Sequence, residues 1–168
     1  MRGRSPSSST AKRPSRGPRV AEGADGVAIR RARLRDARAI AELAGQLGYP
    51  TPEREMAARL AALLGRRQGA VLVAESPSHE VVGWLHVSLT PLLEVPLRAE
   101  VNGLIVREGQ RSLGAGARLL EAAERWARSN GCRSMSVRSN VVRERAHAFY
   151  LKSGYQHYKT QKAFRKEI

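Results

Sequence analysis

The chain has 168 residues, with 30 Lys and Arg against 15 Asp and Glu, for a net charge of +15. That length suits one domain with a true hydrophobic core, and no apolar run nears the ~20 residues of a membrane-crossing helix. The one cysteine, Cys132, excludes an intrachain disulfide, fits a reducing, cytoplasmic setting, and reads as a small packed residue.

The charge invites a nucleic-acid reading, but the composition argues against it. The basic residues are scattered along the chain, and aromatics for base stacking are only 5%. A basic surface also steers a small polyanion inward.

Residues 1–25 are rich in Arg, Ser, Pro and Gly and nearly lack large apolar residues. Such a stretch cannot offset its ordering entropy, so a disordered basic tail is expected there, without the apolar core of a secretory leader. Residues 26–168 then form the single domain. Residues 26–33 alternate as a first strand. Asp36 is placed to cap a helix that buries Ala37, Ile40, Ala41 and Leu43. Gly48-Tyr49-Pro50 ends it. Thr51 and Pro52 open a second helix with Met56, Leu60, Leu63 and Leu64 on its apolar face. Residues 70–75 and 81–89 read as a hairpin around Pro77-Ser78-His79-Glu80, and residues 91–98, with two prolines, as an irregular crossing.

A strand over residues 99–106 follows, then a polar turn, then Arg111-Ser112-Leu113-Gly114-Ala115-Gly116 at the start of a helix running to about Ser129. Strand, glycine-bearing turn and helix N-terminus together make an anion cradle. The first helical N–H groups lack intrahelical partners, and the macrodipole places positive potential there. Gly114 and Gly116 let an anion approach the backbone, and Arg111 adds a charge at the mouth. The dinucleotide fingerprint fails, because its third glycine would fall at Leu119. No Gly-Lys-Ser/Thr of a Walker motif is present. Residues 133–139 then read as a strand, residues 141–152 as a helix with Ala146, Phe149 and Tyr150 on one face, and residues 155–168 as one or two strands.

Arg111-x-x-Gly114-x-Gly116 resembles the pyrophosphate loop of the GNAT superfamily of N-acetyltransferases. Asn140-x5-Ala146-x2-Phe149-Tyr150-x3-Gly154-Tyr155 is similar to that family's C-terminal segment. The order of elements, β-α-α-β-β-β-α-β-α-β, is also the family's. The resemblance implies an α+β fold with a mixed, mostly antiparallel sheet of six to seven strands, about four helices and a splayed central strand.

It further implies acetyl transfer from acetyl-CoA to a primary amine by direct attack, with no metal. The pyrophosphate would fall on the backbone N–H groups of Arg111, Ser112, Leu113, Gly114, Ala115 and Gly116. Ile105 and Val106 would offer backbone groups to the pantetheine arm, and Asn140 its side-chain amide. Tyr150 would be the acid at the departing sulfur, or else a core tyrosine beside Phe149. Glu100 matches a base position of some members. Period 2 places it on one face with Asn102 and Val106, and its alternative is a structural ion pair. Glu94 and His86 compete for that role or line the acceptor cleft. His86 shares a strand face with Trp84 and Ser88, and Tyr49 is either a cleft wall or a core anchor.

The acceptor is expected to be a small-molecule amine rather than a protein N-terminus or lysine. A non-catalytic basic protein on the same fold is the reading from another class. A homodimer is compatible with the family, and neither membrane nor nucleic acid is expected as a partner.

Overall fold

The computed structural model describes residues 26–110 and 114–168. The expected basic tail and three phosphate-loop residues, Arg111, Ser112 and Leu113, lie outside the described residues. Among the described residues nine α-helices and strands follow one another: β1 (Ala28–Arg31), α1 (Ala37–Gln46), α2 (Glu53–Leu64), β2 (Gly69–Glu75), β3 (Val81–Thr90), β4 (Arg98–Val106), α3 (Ala115–Ser129), β5 (Met135–Val137) and α4 (Glu144–Lys152). The strands lie side by side in chain order. The first three pairings are antiparallel and β4–β5 is parallel.

The sheet separates two apolar layers. On one face α3 inserts Leu119, Leu120 and Ala123 among Leu72, Leu85, Val87, Val101 and Val106. On the other, Ile40 and Leu43 of α1 and Leu60 of α2 meet Val71, Val73 and Ile105. Alternation along each strand produces this division, because successive side chains leave opposite faces.

Several expectations are corrected. Residues 155–168 form no strand, so the described sheet has five strands rather than six or seven. That segment offers no alternating apolar face: Tyr155 packs partly buried against the α3 layer, but beyond it Tyr158, Phe164 and Ile168 are exposed. Asp36 does not cap α1. A 3-10 turn at Leu34–Asp36 precedes that helix, and the Asp36 carboxylate turns back to accept from the Arg33 N–H and from Arg30. Thr51 does not cap α2 either: its hydroxyl donates to the Tyr49 carbonyl, and Pro52 takes the cap position. The last helix starts later than its apolar pattern suggests. An Asx turn, with the Val142 N–H donating to Asn140 Oδ1, uses up the residues before Glu144.

One irregularity shapes everything downstream. His86 of β3 pairs with Gly103 of β4, but the next residue, Val87, pairs with Val101. Asn102 is therefore the extra residue of a β-bulge, and the parity of β4 inverts there. Glu100 and Val106 consequently lie on opposite faces, contrary to the period-2 expectation. Val106 joins the α3 layer and Glu100 faces the α1–α2 side with Ile105.

Candidate active site

β5 pairs with β4 only at Ala99, Glu100 and Val101, although β4 runs on to Val106. The parallel ladder thus stops just where the bulge begins, and the two strands part. Backbone groups alternate in direction along a strand. The Arg107 N–H donates to the Val82 carbonyl at 2.7 Å, so Ile105 also directs its backbone toward β3. Val106 directs its own toward the parted side. Of the two residues expected to meet a pantetheine arm, Val106 directs its backbone away from β3 and Ile105 toward it.

α3 begins beside this opening. Its cap residue, Gly114, has φ +72° and open space where a Cβ would stand. No side chain among the described residues caps the helix, and no acidic residue lies in its first turn. Among the described residues nothing compensates the positive end of the dipole, which suits a phosphate. Gly116 has a different reason to be small. A Cβ there would stand 3.4 Å from the Phe149 ring and 3.6 Å from Val106, so the position admits a methyl and little more. These donors fit the group that the family resemblance implies: amides and a bare dipole for a diphosphate, a strand edge for a chain of amides.

Tyr150 sits on α4, half-buried against the α3 layer. Its ring meets Phe149 edge-on at 5.2 Å and Tyr155 at 5.8 Å. Burial raises its pKa, partly offset by the Arg143 guanidinium. The phenol is therefore protonated throughout the neutral range, and its hydroxyl has no hydrogen-bond partner among the described residues. Asn140 is exposed. Its Oδ1 is engaged in the Asx turn, which leaves Nδ2 to donate.

The opposite face of the sheet carries the remaining polar groups. Glu100 is buried and opposes Ser88 on β3 and Ser136 on β5. Asn102 Nδ2 donates to Ser88 Oγ at 2.8 Å. His86 lies one step further along, and burial depresses its pKa, so it is neutral at neutral pH. Trp84 completes the row. Its ring covers Gly103, where a Cβ would fall 2.8 Å from the ring. The expected pairing of His86, Trp84 and Ser88 on one face thus holds. Glu94 is exposed on the irregular crossing after β3, and Tyr49 is exposed on the α1–α2 link, so it anchors no core.

Three contacts of this region carried no signal in the sequence. Arg138, the first residue beyond β5, forms an ion pair with Glu100, its Nε 2.6 Å from Oε1. Arg143 donates to the Leu47 carbonyl at 2.7 Å, fastening the α1–α2 link to the start of α4. Gln46 Oε1 accepts from the Glu108 N–H at 3.3 Å, fastening that link to the turn before the phosphate loop. Two arginines among 25 and one glutamine have no spacing that would single them out; only the tertiary contacts do.

The model of the acetyltransferase (GNAT) family matches residues 34–155. An aminoglycoside N(6')-acetyltransferase type 1 from Klebsiella aerogenes is 30% identical over 105 residues, which cover 61% of this chain and 69% of that protein. Among solved structures, the aminoglycoside 6'-N-acetyltransferase AAC(6')-Ih from Acinetobacter baumannii superposes with a TM-score of 0.76 at 18% identity, over 85% of this chain and 99% of that one. AAC(6')-Iy in complex with the bisubstrate analogue CoA-S-monomethyl-acetylneamine gives 0.75 at 18%, over 84% and 99%. At such identity the structural likeness establishes the fold alone. The family match spans most of the chain, and it coincides with a strand pair that parts beside a helix opening at Gly114: the chain belongs to the GNAT acetyltransferase family.

Proposed function

We propose that this chain transfers the acetyl group of acetyl-CoA to a primary amine of a small, cationic molecule by direct attack. The observation that carries the reading is the parting of β4 from β5 after Val101, next to the N-terminus of α3 at Gly114. The curated relative acts on an aminoglycoside, and a structural neighbour holds a CoA–aminoglycoside conjugate, which favours a polyamine-like acceptor.

Acetyl-CoA supplies an activated acyl carbon as a thioester. The chain's own groups supply position and proton control. Backbone N–H groups from Gly114 to Gly116, with Arg111, Ser112 and Leu113 before them, grip the diphosphate. The stretch of β4 beyond the end of its ladder with β5 takes the pantetheine arm, helped by Asn140 Nδ2. A backbone N–H on that edge faces the thioester oxygen, where charge grows in the transition state. Glu100, on the far face of the sheet, accepts a proton from the incoming ammonium, directly or through water. An amine of pKa ~10.4 must lose that proton before it can attack. As the C–N bond forms, the C–S bond breaks; the nitrogen's surplus proton passes to solvent water, and the sulfur leaves as a thiolate to which the Tyr150 hydroxyl donates a hydrogen bond. Its raised pKa makes it a hydrogen-bond donor rather than a strong acid. Tyr49, His86 and Glu94 border the approach of the acceptor.

Calorimetric titration with acetyl-CoA, followed by a thiol-release screen over aminoglycosides, diamines and peptide amines, tests this. Micromolar binding and turnover with a polycationic small amine are expected. Absent binding, with a salt-sensitive shift of mixed-sequence DNA, would favour a non-catalytic basic protein instead.

A further inference from the structure

The described residues bury two charged side chains, Asp36 and Glu100, and hold them in opposite ways. Asp36 accepts two hydrogen bonds from Arg30, whose side chain is only 19% exposed, and a third from the Arg33 N–H. That carboxylate is locked. Glu100 is just as buried, at 6% exposure, but its counter-ion is Arg138, whose side chain is 81% exposed. Taking a carboxylate out of water requires a cation close by. An arginine that is mostly in solvent is a weak anchor, since hydration competes for it and holding it costs side-chain entropy. In this pair the carboxylate is committed and the cation is replaceable.

The surroundings point the same way. Arg138 leaves the sheet at the first residue past β5, where the strands have begun to part. The face around Glu100 is polar: Ser88 opposes it, Asn102 bonds Ser88, and His86 is held neutral by burial. Among the described residues no cation other than Arg138 pairs with Glu100.

Resting on the acyltransferase reading, we infer that Arg138 is a stand-in for the acceptor: a displaceable counter-ion that partners the Glu100 carboxylate between turnovers and yields its place to the ammonium group of a cationic amine. The exchange replaces one cation by another, so no stage leaves a buried charge unpaired. It also selects. An amine that arrives as an ammonium ion can displace the guanidinium, whereas an uncharged or anionic molecule cannot. Arg138 is thus a specificity-determining residue, acting through Glu100.

The test needs no turnover. n-Butylammonium is titrated into wild type, Arg138→Met and Arg138→Lys, with the Glu100 carboxylate followed by 13C NMR. Arg138→Met, freed of the tethered competitor, is expected to bind the cation about fivefold more tightly than wild type. Arg138→Lys restores a tethered cation and is expected to bind like wild type. Adding Glu100→Gln to Arg138→Met removes the tight binding. Equal affinity in wild type and Arg138→Met, or weaker affinity in the variant, overturns the inference. Failure of the acyltransferase reading shows separately, as absent acetyl-CoA binding by the wild type.

Discussion

Gly114 is the residue on which the cofactor end of the site turns. Its φ of +72° is one that L side chains adopt at a cost, and its missing Cβ leaves open space at the helix N-terminus. Gly114→Glu adds that strain and places a carboxylate where a diphosphate would lie. Acetyl-CoA binding measured by calorimetry is expected to vanish in this variant while its circular dichroism stays that of wild type; retained affinity would misplace the phosphate. Tyr150 governs the other end. Tyr150→Phe keeps the ring against Phe149 and Tyr155 and removes only the hydroxyl. Turnover is expected to fall by about a hundredfold with acetyl-CoA affinity kept, as for the loss of one positioned proton donor. An unchanged kcat would make Tyr150 a packing residue.

At the scale of elements, the β3–β4 pair is the most tightly constrained. A Cβ on Gly83 would come within 2.8 Å of the Ile105 carbonyl oxygen and 3.3 Å of Val106 Cα, both backbone atoms that cannot swing away. Gly83→Ala must push β3 off β4 next to the parted edge. A loss of about 1–3 kcal/mol in urea unfolding is expected, together with weakened acetyl-CoA binding. The β1–β2 edge is held differently, through Arg30, which bridges Asp36 and Glu75. Arg30→Ala strands the buried Asp36 carboxylate and is expected to cost about 3 kcal/mol. The network also sets an acid limit. Burial pushes both carboxyls up, most strongly in each case. Hydrogen bonds from Arg30 and the Arg33 N–H at Asp36, and from His79 and Arg30 at Glu75, outweigh it, so both pKa values end lowered. A depressed carboxyl stabilises the fold above its unfolded pKa and ceases to do so as pH falls through the folded value. Thermal unfolding of wild type is therefore expected to drop steeply below about pH 4, and that drop is expected to be shallower in Asp36→Asn.

At the scale of the whole molecule, the legible features were those that repeat or that share a spacing. The 3.6-residue pattern of Leu119, Leu120, Ala123 and Ala127 located α3, and the hairpin signal around Pro77-Ser78-His79-Glu80 located β2 and β3. What escaped the sequence has a common physical cause. A bulge is one residue without a signature, so Asn102 inverted the parity of β4 and moved Glu100 away from Val106. Caps depend on where a side chain finds its partner, so Asp36 and Thr51 turned back instead of forward. Residues 155–168 looked extended, but extension becomes a strand only where an apolar face can be buried, and theirs is exposed. The partners of Glu100 and Leu47 were arginines in a chain full of them.

The central claim is that amides at the start of α3 and the parted edge of β4 together hold acetyl-CoA. Amide-resolved 15N–1H NMR titration with acetyl-CoA addresses it most directly. Saturable shifts at Gly114, Ala115, Gly116 and Val106, with Ile29 and Arg30 of β1 unmoved, are the expected result. Shifts centred anywhere else, or none at saturating acetyl-CoA, would contradict it.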